Sequence, residues 1–121
     1  MAGTQYAMIV GGVQTGITAG ATQTAAGATA ITGALVTVTT VAADNDGVIL
    51  PANIPQGGRV VIANLDAAQD IKVYPNTGGT INGAATSANL VVGQQQVVEM
   101  FQVGTDGLSW IAVLGAVATP V

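Results

Sequence analysis

The sequence predicts an all-β fold, an antiparallel β-sandwich or jelly-roll-like barrel of about seven to nine short strands. Three observations carry that expectation. Short runs rich in Val, Ile and Thr recur along the chain, and these residues suit pleated, half-buried surfaces. Turn formers bound the runs: Pro51, Asn53 and PQGG at 55–58, then 64–68, then 75–79. Within the runs apolar residues alternate with polar ones. Val60 and Ile62 share one face, as do Ile71 and Val73, while Arg59 and Lys72 fall on the opposite faces.

Residues 1–33 are expected to form an irregular Gly/Ala/Thr-rich N-terminal arm, extended or packed on a neighbouring subunit. Residues 5–10 form a candidate strand ended by Gly11 and Gly12. The low-complexity run that follows is interrupted by glycines and holds no 3.6-residue apolar stripe, so helix is not expected. Residues 34–115 are the expected β-domain. ALVTVTTV at 34–41 is its first strand, closed by an Asp-Gly turn in ADNDG at 43–47. Residues 48–50, 60–63 and 71–74 follow as strands, the last two as a hairpin around 64–69. Shorter strands are expected at 80–82 and 89–92. QQVVEMFQV at 95–103 and LSWIAVL at 108–114 form a second hairpin about the Asp106-Gly107 turn. Residues 116–121 are a tail.

Composition narrows the function. Charged residues are 7% of the 121, against about a quarter in ordinary soluble domains. A membrane-spanning helix needs roughly 20 apolar residues in a row, and Gly, Thr, Gln or Asn interrupts every run here. No signal peptide is expected, since the N-terminus lacks a basic region before an apolar stretch. Disorder requires low hydrophobicity and high net charge, whereas this chain is 50% hydrophobic with a net charge of −4. Two basic residues cannot follow a phosphate backbone, so nucleic acid is not an expected partner. The absence of Cys and His removes thiol chemistry, the commonest general base and the commonest metal ligand.

No catalytic, cofactor-binding or metal residues are assigned. Asp44-Asn45-Asp46-Gly47 resembles the start of a calcium loop, but position 12 counted from Asp44 is Pro55 rather than an acid. Asp66 and Asp70 bracket a loop near Lys72 and read as loop charges. Gly78, Gly79 and Gly83 fit neither a dinucleotide fingerprint nor a phosphate-binding loop. Trp110 and Tyr74 could form a sugar platform if exposed, although a lone Trp on an apolar strand is more often core. Glu99 interrupts an apolar strand and is expected to point outward or to pair with Arg59 or Lys72.

The order DGVILP, GGRVVIAN, IKVYPNTGGTINGA, LVVG and a final DG-x-x-W resembles a small β-module of tailed-bacteriophage virion proteins. The resemblance spans about residues 38–114, and VYPNTGGTING at 73–83 is its most specific part. It implies a non-enzymatic, self-associating protein on a virion. The expectation is a head decoration (cement) protein on the outer capsid surface, a homotrimer that bridges major capsid proteins. A tail-fibre or neck component and a carbohydrate-binding module are the alternatives. No cofactor, membrane or small-molecule substrate is expected.

Overall fold

The computed structural model describes residues 12–118. These contain ten strands and no helix. In chain order they are β1 Val13–Thr18, β2 Thr29–Ala30, β3 Leu35–Thr40, β4 Asp46–Ile49 and β5 Arg59–Asn64, then β6 Ile71–Tyr74, β7 Thr80–Ile81, β8 Leu90–Val92, β9 Gln96–Gln102 and β10 Ser109–Ala116.

Two mixed sheets result, a six-stranded one in the order β1-β3-β5-β9-β10-β7 and a four-stranded one in the order β2-β4-β6-β8. The first six strands alternate between the sheets, so the chain winds like a flattened coil. β1, β3 and β5 stack in parallel on one side, β2, β4 and β6 on the other. The chain then reverses. β8 runs antiparallel to β6, β9 antiparallel to β5, and β10 returns antiparallel to β9.

Alternating side chains fill the space between the sheets. Val36 and Val38, Val60 and Ile62, Val98 and Met100 point in from the larger sheet, and Val48, Ile71, Val73 and Val92 from the smaller. Each such aliphatic side chain contributes roughly 1.5–3 kcal/mol by leaving water. Trp110 is 1% exposed and closes the core at β10. As the sequence predicts, Val60, Ile62, Ile71, Val73 and Trp110 are all buried.

Four expectations are corrected. The sheets are not antiparallel throughout, since five of the eight strand pairings are parallel. β5 and β6 are not a hairpin; they lie in different sheets. Both bury alternate residues against the same core, and residues 65–70 are long enough to cross the roughly 10 Å between packed sheets. Residues 13–30 are not an arm, because β1 and β2 are integral to the sheets and Ala19 and Ile31 are buried. Their pattern is weak in sequence because β2 has two residues and β1 is irregular at Gly16, where φ is +66°. The candidate strand at 5–10 lies outside the described residues.

The fourth correction concerns the first Asp-Gly turn. Asn45, with φ +72°, takes the left-handed position, while Asp46 and Gly47 already pair with Ile71 and Lys72 in β4. Gly47 is needed there for space, since a Cβ would meet the Tyr74 ring at 2.8 Å. The second hairpin stands as expected, with β9 and β10 in register from Trp110–Gln102 to Ala116–Gln96 and Gly107 at φ +74° in the turn.

Candidate functional site

The aspartate carboxylates accept from backbone and side-chain amides of the turns and loops. Asp46 is fully buried, and its carboxylate accepts from the Ala43 amide at 3.2 Å and from the Gln23 side-chain amide. Asp44 Oδ1 accepts from the Asp70 amide at 2.8 Å, and Asp70 Oδ1 from the Gln94 amide at 3.2 Å. Asp66 Oδ1 accepts from the Ala68 and Gln69 amides at 2.9 Å each, and Oδ2 from the Val41 amide at 3.2 Å. Those backbone donors, Ala68 first, hold the Asp66 carboxyl below the usual range. Asp44 and Asp46 therefore do not converge on an ion, and Asp66 and Asp70 serve separate turns. Among the described residues no group of three acids could hold a metal. Asn64 completes this end of the molecule. Its side-chain amide donates to the carbonyls of Gln69, Val92 and Gly93, pinning the β5–β6 crossing to the turn before β9.

The aromatic pair is not a platform. Tyr74 is 6% exposed in the smaller sheet, its hydroxyl donating to the Gln23 carbonyl at 2.8 Å. Trp110 is buried in the larger sheet, directly opposite Gln102. The Trp110 ring N–H and the Gln102 side-chain N–H₂ find no hydrogen-bond partner among the described residues. Gly78 and Gly83 take left-handed backbone conformations in turns, at φ +85° and +69°.

What the fold leaves facing outward is an apolar sheet face. Because even-numbered residues of β3, β5 and β9 point inward, their odd-numbered neighbours form the outer surface of the six-stranded sheet. Strand register aligns them in rows. One row runs Val13, Leu35, Val61, Glu99, Val113 across five strands. A second runs Arg59, Phe101, Ile111, and a third Thr37, Ala63, Val97, Gly115, in which Ala63 is buried. Val13 is 66% exposed and Val113 54%. Ala34, Leu35, Arg59 and Val61 line a shallow groove of about 290 Å³ on this face.

Two charges stand in that surface. Arg59 Nε lies 3.6 Å from Glu99 Oε2, an ion pair between adjacent strands with both side chains substantially exposed. Glu99 thus has the outward position and the Arg59 partner that the sequence offers as options. Beside the face is a sheet edge. β7 covers only Ser109 and Trp110, and the Asn82 side chain continues its role by accepting from the Ala112 amide at 2.8 Å. Past that point Leu114 and Ala116 present main-chain groups to the open side, with no further strand beside them among the described residues. Sequence reasoning placed Asn82 in a short strand but missed the part its side chain plays. Its strand-like pairing depends on a side chain imitating a peptide group.

No protein-family model matches the chain, and no curated protein matches it.

Proposed function

We propose that the protein is a non-enzymatic structural component of a tailed-phage virion, a head decoration protein on the outer capsid surface. It associates with itself as a homotrimer and ties major capsid proteins together through apolar, main-chain-rich contacts. The observation that carries this reading is the outer face of the six-stranded sheet, a broad apolar surface on a chain with 7% charged residues. Interface cores are depleted of charge in the same way. The resemblance to phage β-modules adds support, because its segments coincide with strands: DGVI with β4, RVVIAN with β5, IKVY with β6, the TI of TGGTING with β7 and LVV with β8. We read the architecture as a short solenoid-like stack capped by antiparallel β8, β9 and β10, in preference to a jelly roll.

A tail-fibre or neck component is the second reading. It is favoured by the parallel stacking itself, since β1 and β2 end their sheets at the same coil and could extend into a rod. The test is labelling of intact virions with antibody to the protein, with microscopy to place the label. Label over the head supports decoration. Label confined to tail or neck supports the second reading, and unlabelled virions reject both.

A further inference from the structure

We infer that the outer face of the six-stranded sheet is the surface through which copies of this chain associate, Arg59 of one copy reaching Glu99 of the next. This rests on the self-association proposed above and gives it a two-fold contact: a face that meets its own copy closes as a pair, so this surface joins copies two by two, between trimers where a separate three-fold contact forms.

Size is the first argument. The first outward row crosses five strands and the other two cross three and four, so at about 4.8 Å between strands and about 6.6 Å between rows they cover about 350–400 Å² in projection. Monomers seldom expose a contiguous apolar patch of more than a few hundred Å² without using it. Two such faces brought together cover about 700–800 Å², the size of a weak contact between copies.

Charge decides the occupant. The face carries one cation and one anion side by side, with apolar residues around them. A wholly apolar cover would strip water from both ions and return nothing, a costly arrangement. A second copy brings the same pair, so each ion gains an additional partner of opposite sign. The Arg59 contact with its own Glu99 is through Nε, and a guanidinium has further N–H donors with which to reach a second carboxylate. An exposed pair of this kind contributes about 1 kcal/mol or less on its own. Its role is to set orientation, while Val61, Phe101, Ile111 and Val113 supply the burial. The groove beside Arg59 and Val61 is large enough to take an aliphatic side chain from the facing copy.

The chain has no cysteine, so one engineered thiol reports the contact without ambiguity. Full-length Val61→Cys, oxidised at micromolar concentration, should give disulfide-linked dimers. Ala85→Cys, on the exposed loop between β7 and β8, should not. In light scattering, Val113→Lys should weaken association by about tenfold or more, because a lysine would lose water in the contact. Its circular dichroism should be unchanged, since Val113 already faces solvent. Arg59→Glu and Glu99→Arg should each weaken self-association, and mixing the two variants should restore it, which pairing within one chain cannot do. An oligomer that neither cross-links through Val61→Cys nor responds to Val113→Lys overturns this inference and leaves the self-association reading intact. A monomeric full-length protein removes both. An intact Val113→Lys oligomer that no longer binds capsids assigns the face to the capsid and also overturns the inference.

Discussion

Gly79 has no room for a side chain, because a Cβ there would meet the Leu108 carbonyl oxygen at 2.4 Å and the Asn76 carbonyl oxygen at 3.0 Å. Both neighbours are backbone, and both are already engaged: the Gly79 amide donates to Asn76 and the Thr80 amide to Leu108. Gly79→Ala should therefore cost about 1–3 kcal/mol through displaced backbone, read as a lower urea midpoint. Gly83→Ala, in open space, should cost only the strain of φ +69°, about 1 kcal/mol. Equal midpoints for the two variants would refute the steric assignment at Gly79. Asp66 supports a pH prediction. Amides of Ala68 and Gln69 lower its folded pKa below the ordinary 3.8, so the charged form stabilises the fold. That contribution is complete above the unfolded pKa and is lost as pH falls through the folded one. Asp66→Asn keeps an acceptor but no charge. It should lower stability near neutrality and flatten the decline as pH falls below about 5, where the unfolded carboxyl begins to take up its proton. Urea midpoints across that window check it, and an unchanged acid limb would remove the role given to Asp66.

The strands were more legible in sequence than their partners. Period-2 alternation identifies Val60, Ile62, Ile71 and Val73 as inward, and they are, but alternation is the same in a hairpin and in a crossing between sheets. Hence β5 and β6 could be placed on the core and still be assigned to the wrong neighbours. The β9–β10 hairpin was readable because an Asp-Gly turn joins two long runs. The candidate site was legible in part, through Glu99, whose position in an apolar strand marks the outward row. Its pairing with Arg59 was open, since it depends on β5 and β9 meeting in antiparallel register some distance apart in sequence. β1 and β2 were unreadable for want of apolar periodicity, and they yield the sharpest element-scale prediction. Ile31 follows β2, is 3% exposed, and its amide donates to the Ile49 carbonyl at 3.0 Å. Ile31→Ala should cost about 2–5 kcal/mol, as for a core residue. An arm would predict a change within about 0.5 kcal/mol. Deleting residues 1–33 should likewise unfold the domain, by stripping β3 and β4 of their neighbours, with loss of the β signature in circular dichroism. A folded truncated protein would count against the integral role of β1 and β2.

At the scale of the whole molecule, the proposed assembly is held by apolar area, and this fixes how it should respond to salt. Each chain carries a net charge of −4 and two basic residues, so copies repel one another weakly at long range. Raising NaCl from about 50 mM to about 500 mM shortens the screening length from about 14 Å to about 4 Å. That removes the repulsion between exposed charges. It weakens one partly buried Arg59–Glu99 exchange far less, because pairs shielded from solvent are screened less. Sulfate should act in the same direction, since excluded salts strengthen apolar burial. The apparent mass of the full-length protein in light scattering should therefore stay constant or rise across the salt series, and rise further in sulfate. An assembly built mainly on ion pairs would do the opposite and dissociate as salt increased. A falling mass would thus transfer the binding energy from the rows around Val61 and Val113 to the charges between them. In that case Val113→Lys should matter little and Arg59→Glu a great deal, so the same pair of variants checks the conclusion from the other side.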